Sequence, residues 1–192
     1  MLKEMSTLRP GKLLGQSPEI QRSLAILGAF CLFLSTVEYM IPKPFPFVRL
    51  GLANLPIMLA IDIFPFHAFL VLAAIKVAGQ AIITGTLFSY IFLFSLAGTL
   101  FSSLFMFTLR RFLGARRISF IGVGTLGAMV SNITQLGLAS FFVFAESVRF
   151  IAPPFLAAGL VTGALLGLFC ERFASRSKWY AECKKRYAER KA

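Results

Sequence analysis

The sequence predicts an all-α, polytopic membrane protein: a bundle of six transmembrane helices with both termini on the cytoplasmic side. Three observations carry this. The 192 residues are 57% hydrophobic, with 22 Phe and a mean hydropathy of +0.78, more apolar surface than a soluble domain of this length can bury. Only 15% are charged, where globular chains carry about a quarter. The apolar runs are also continuous, without the short alternation of a membrane β-barrel.

The elements follow in order, given that a span needs about 20 predominantly apolar residues. The candidate helices are Ser23–Met40, Leu50–Phe64, His67–Thr84, Leu87–Leu109, Ile118–Ala145 and Phe150–Cys170. The first follows a basic segment and lacks a small-residue cleavage site, so it reads as an uncleaved membrane helix. The second is short and holds Pro56, which suits a tilted or partial crossing. Glu38, the Asp62-to-His67 stretch, Gly85, "RRFLGARR" and "ESVR" mark the breaks. The chain therefore divides into a basic cytoplasmic segment (1–22), a membrane domain (23–170) and a basic cytoplasmic tail (171–192).

Orientation comes from Lys and Arg. With both ends inside, sixteen of the 20 fall on the cytoplasmic side and three, Lys43, Arg49 and Arg149, on the outer side. That is a strong positive-inside asymmetry. The net charge of +12 then reads as topology and contact with anionic lipid headgroups, with no nucleic acid implied. The tail "SRSKWYAECKKRYAERKA" reads as a solvated basic tail whose Trp179, Tyr180 and Tyr187 suit an interface.

Small residues mark helix contacts. Gly159, Gly163 and Gly167 share one register, as do Ser95, Thr99 and Ser103, and both rows read as internal packing. Ala25 and Ala29 have the same spacing in the cytoplasmic half of the first helix. They face either another helix of this chain or a partner.

Polar residues gather in the outer half. Glu38 ends the first helix and Arg49 begins the second, with Asn54 about a turn further in. Lys76 lies near the middle of the third helix, with Gln80 a turn outward on the same face. Asn132 and Gln135 occupy the matching level of the fifth. Such groups are costly in lipid and face the bundle interior. Taken singly, Glu38 with Arg49 reads equally well as an ion pair, and Asn132 and Gln135 as interhelical glue. Taken together, Glu38, Arg49, Gly51, Asn54, Lys76, Gln80, Asn132 and Gln135 suggest an outward-opening pocket suited to a solute with an acidic or electronegative part. The stretch "IPKPFPFVRLGLANLP" supplies its cover: Pro42, Pro44 and Pro46 favour a stiff, extended strap.

Enzyme chemistry is not indicated. One His and one Asp exclude a His-rich metal site and a DDxxD diphosphate–magnesium site. The dispersed Cys31, Cys170 and Cys183 suggest neither disulfide nor zinc. No Walker A loop, G-x-S-x-G elbow or CxxC occurs. Neither metal nor cofactor is expected, and uphill movement of a solute would need an outside energy source.

The stretches "VEYMIPKPFPFVRLGLANLPIMLAI", "FSLAGTLFSSLFM" and "GTLGAMVSNITQLGLA" resemble the bacterial membrane family called Gx transporter, also labelled heptaprenyl diphosphate synthase component I. The resemblance covers roughly Ala25 to Ala164. That family in turn resembles the S components of energy-coupling-factor (ECF) transporters, six-helix proteins that bind a micronutrient on the outer side beneath the loop joining the first two helices. The resemblance implies a bacterial cytoplasmic (inner) membrane location, solute contacts at Glu38, Arg49, Gly51, Asn54, Asn132 and Gln135, and a coupling-protein contact at Ala25 and Ala29. It further implies ECF coupling and ATPase subunits as partners. Family members often carry His before the Asn of the fifth helix, where this chain has Ser131. The alternative reading is a non-transporting membrane partner in quinone or isoprenoid synthesis or membrane electron transfer.

Overall fold

The computed structural model describes residues 18–41, 51–114, 117–144 and 148–189, and among them it is helical with no strand. The elements are α1 (Pro18–Met40), a 3-10 turn (Leu52–Asn54), α2 (Leu55–Ala60), α3 (Phe66–Thr84), α4 (Tyr90–Leu113), α5 (Phe120–Ala139) with a π turn at Ser140–Phe144, α6 (Val148–Arg176) and α7 (Lys178–Glu189). Five of these segments, α1, α3, α4, α5 and α6, are long and apolar enough to cross a membrane. In lipid each backbone N–H and C=O must be satisfied within the chain, which a helix does by itself.

Local chemistry sets the ends. Ser89 caps α4 by accepting from the Ile91 N–H at 3.2 Å, and Ser119 caps α5 by accepting from Gly122 at 3.2 Å. Such caps satisfy amides that the first helical turn leaves open.

The second apolar run behaves differently from the others. Its helix has six residues, all buried, which at 1.5 Å per residue is about 9 Å against a hydrocarbon core of about 30 Å. The turn that follows, Ile61–Phe64, includes the buried Ile61, Ile63 and Phe64. This run is apolar because other helices enclose it. Helix α2 packs against α1, α3, α5 and α6, and Ile57, Met58, Leu59 and Phe64 are among the most deeply buried large side chains.

Around this centre α1 packs on α3, α3 on α4, α4 on α5 and α5 on α6, the last contact being the most extensive. Glycine makes that contact possible. A Cβ on Gly167 would lie 2.5 Å from the Ile121 Cα, and one on Gly163 would lie 2.7 Å from the Gly124 carbonyl oxygen. Backbone thus meets backbone, and dispersion replaces the hydrophobic drive that lipid does not supply. The α4 row splits: Ser95, Thr99, Ser102 and Ser103 are all buried, but not all of them serve packing, as the cavity described below shows.

The C-terminal segment is more structured than a solvated tail. Trp179, Tyr180, Cys183 and Tyr187 fall on one face of α7, with Tyr180 only 3% exposed and its ring edge-on to Phe120 at 6.4 Å. Trp179 and Cys183 pack partly against the same core. The basic residues Lys184, Lys185 and Arg186 remain exposed, so the tail is amphipathic and docked by its aromatic side.

An ion pair ties this end together. Arg110 grips Asp62 with two hydrogen bonds, Nε to Oδ1 at 3.0 Å and Nη2 to Oδ2 at 2.8 Å. It also donates to the Ile118 carbonyl and lies over the Phe120 ring at 4.4 Å. Lys184 of α7 reaches Asp62 at 3.3 Å. Burial alone would raise the Asp62 pKa, but the hydrogen bonds and charge of Arg110, helped by Lys184, hold it below the usual carboxylate value. Burial pushes the Tyr180 phenol up, so it stays neutral.

Candidate functional site

Chain direction places the ends of α1, α3 and α5 with the starts of α4 and α6, opposite the Asp62–Arg110 end. Toward that first end the helices enclose a cavity of about 50 Å³. At roughly 10–15 Å³ for one water-sized sphere, this is room for a few waters or a compact polar solute.

The residues singled out from the sequence converge here. Glu38 of α1, Gly51 and Asn54 before α2, Lys76 and Gln80 of α3, and Asn132 and Gln135 of α5 all line the cavity. Arg49 lies outside the described residues, as does the segment holding Pro42, Pro44 and Pro46.

Each position has a local cause. Lys76 and Gln80 are one turn apart on the buried face of α3. Gly51 adopts φ 74°, a left-handed conformation that side chains disfavour, and in it the Gly51 N–H donates to Glu38 Oε1 at 3.2 Å. This bond joins the end of α1 to the entrance of α2. Lys76 Nζ donates to Thr99 Oγ1 at 2.8 Å across the α3–α4 contact. Asn132 Nδ2 donates to the Phe155 carbonyl at 3.0 Å, and Gln135 Nε2 to Ser131 Oγ at 3.0 Å.

The electrostatic stakes are set by burial. Glu38, Lys76 and Gln80 are 2%, 5% and 6% exposed, so water screens them little. Gln80 Oε1 has no hydrogen-bond partner among the described residues. Leaving such an acceptor unmet costs about 1–3 kcal/mol, a cost that a donor arriving in the cavity relieves. The other end of the cavity is apolar, lined by Met58 and Met106 beside Gly124 and Gly127. The arrangement offers one carboxylate, one ammonium, four amides and several hydroxyls around a small volume. That set suits recognition by hydrogen bonding. Among the described residues no cluster of His, Cys, Asp or Glu could hold a metal.

Sequence reasoning missed part of the lining. Ser95, Thr99 and Ser102 of α4 and Thr162 of α6 face the cavity, though the α4 row reads as packing. The ambiguity is physical, since hydroxyls in apolar helices often bond their own preceding turn. Ser35, Thr84 and Thr134 do so here, each to the carbonyl four residues back at 2.8 Å. Position opposite Lys76 is what distinguishes Thr99, and that is visible only in three dimensions.

Ala25 and Ala29 lie apart from this site on the exposed side of α1. Gly28 faces inward instead, toward Ile75 of α3. Among the described residues no other helix covers the alanine pair.

The fold and the cavity define a class: a polytopic helical membrane protein with a small, polar, buried chamber toward one end of its bundle. The family model described as heptaprenyl diphosphate synthase component I matches residues 27–173, and the chain belongs to that family. No curated protein and no solved structure matches it.

Proposed function

We propose that the chain is a membrane solute-binding subunit resembling the S components of ECF transporters. It takes up a small micronutrient and is energised by a separate ATPase module. One observation carries this reading: six polar residues chosen for their level in the membrane, with Gly51, line a single cavity, although scattered interhelical glue would have no need to share one. In this reading the cavity opens outward, the second apolar run completes a six-helix bundle, both termini are cytoplasmic, and the membrane is the bacterial inner one. The Lys and Arg asymmetry supports that orientation. The exposed Ala25 and Ala29 form the face that meets the coupling protein, because small residues let a partner helix approach closely.

The subunit is proposed not to be an enzyme. With a single Asp in the chain, a DDxxD-type motif that holds diphosphate through magnesium cannot be assembled. The family description favours a second reading, a non-transporting partner of prenyl-lipid or quinone synthesis. The polar lining weighs against it, because a prenyl or quinone ligand calls for an apolar groove open to the bilayer.

Two variants test the proposal. Lys76→Ala should abolish solute binding by the purified protein, and Ala29→Trp should spare binding while stopping uptake in cells. A deletion strain with normal solute uptake and altered quinone content would overturn it in favour of the second reading.

A further inference from the structure

At the opposite end of the bundle, where the Asp62 turn, the end of α4 and α7 meet, lies a cleft of about 220 Å³. Its volume exceeds that of the chamber described above, and the solute reading does not use it. Its charge is one-sided: Arg110, Arg111 and Lys184 line it, with Asp62 as the one acidic group among its described lining residues. The roles of these cations differ. Arg110 is committed to Asp62 and to the Ile118 carbonyl. Lys184 gives one contact to Asp62 and keeps a side chain 49% exposed, with further donors on its ammonium. Arg111 is exposed and makes no ion pair among the described residues. The excess positive charge therefore sits at Arg111 and Lys184, with the Tyr187 side chain beside them.

The wall above these cations is apolar. Phe107 lines the cleft and makes tilted ring contacts with Phe66 at 5.3 Å and Phe69 at 5.0 Å. Phe66 is partly exposed on the bundle's outer surface. Cations below an aromatic shelf match a ligand that is anionic at one end and greasy at the other.

The geometry points to a phosphate-binding site in this cleft, with Arg111 and Lys184 as the phosphate contacts. A guanidinium fork and an ammonium are the groups best suited to a multi-oxygen anion. The phosphate comes either on a lipid headgroup, whose chain would lie along Phe107, or as a free ion. The docked α7 supplies Lys184 and Tyr187, so the site exists only while that helix is seated.

Native mass spectrometry of the full-length protein in detergent tests this, with dioleoyl phosphatidate as probe and dioleoylglycerol as the phosphate-free control. Phosphatidate should bind and dioleoylglycerol should not. Each cation near a headgroup contributes roughly a fivefold affinity factor, so Arg111→Gln with Lys184→Gln should weaken phosphatidate binding about thirtyfold. Arg111→Gln alone, which leaves the Asp62 contacts intact, should weaken it about fivefold and serves if the double variant fails to fold. Retained phosphatidate in excess inorganic phosphate assigns the site to a lipid. Displacement by inorganic phosphate assigns it to the free ion, and either result supports the site. Unchanged binding in Arg111→Gln overturns it. Equal weakening by Arg172→Gln with Arg176→Gln, exposed cations outside the cleft, also overturns it, because that outcome means diffuse attraction.

Discussion

Asp62→Asn removes the carboxylate that Arg110 grips and leaves a buried guanidinium without its hydrogen-bonded counter-charge. The two side chains are 9% and 6% exposed, and the nearest contact is 2.8 Å. Breaking one partner of a buried pair costs on the order of 3–5 kcal/mol, whereas replacing both by apolar groups of similar size is often close to neutral. Asp62→Asn and Arg110→Met should therefore each destabilise strongly. The Asp62→Leu/Arg110→Met double variant should lose at least about 2 kcal/mol less than the sum of the Asp62→Leu and Arg110→Met singles. Trp179, the only tryptophan in the chain, lies beside Tyr180 on α7, so its fluorescence during denaturant titration in micelles reports undocking of this end. Acid supplies a second readout. The Asp62 pKa is held below its ordinary value of 3.8, so its contribution is complete above that value and is lost as pH falls through the lower folded value. Wild type should weaken over that acidic window, and Asp62→Asn should lack this component. Strictly additive single effects, or an unaltered acid limb in Asp62→Asn, would refute the argument that the pair is a coupled clamp.

Two further outcomes follow from the geometry. A Cβ on Gly159 would lie 2.0 Å from Asn132 Nδ2, so Gly159→Ala should displace Asn132, break its bond to Phe155 and weaken solute retention at least about tenfold. The stability cost should stay near 1 kcal/mol, and a melting curve run beside a binding assay separates the two. Cys31 and Cys170 are fully buried and Cys183 is partly exposed, so a membrane-impermeant maleimide should modify Cys183 alone. Labelling in inverted vesicles but not in intact cells is the result expected for a cytoplasmic α7.

The helical bundle was legible because lipid imposes a simple rule: a long apolar run must be a helix. That rule leaves the second run, Leu50–Phe64, open between a tilted span and a partial crossing, since sequence cannot say whether Ile57 and Leu59 face lipid or protein. The short helix there is held inside the bundle. The same limit applies to the tail. Its positive charge suggested solvation, while the one-face spacing of Trp179, Tyr180, Cys183 and Tyr187 is what docks it. The candidate site was legible through Lys76, Gln80, Asn132 and Gln135, because a polar residue in an apolar helix has few places to go. Thr99 and Ser95 were not, since a hydroxyl can satisfy itself on its own helix. The Asp62–Arg110 clamp joins residues 48 apart, and no spacing rule connects them.

The central claim is that the polar chamber receives a solute, and mass spectrometry of small molecules co-purifying with the detergent-solubilised protein tests it most directly. The wild-type chain should carry a compact polar molecule in roughly equal molar amount. The Lys76→Ala/Asn132→Ala/Gln135→Ala variant, still folded by Trp179 fluorescence, should arrive empty. Equal occupancy in the two preparations would contradict the claim.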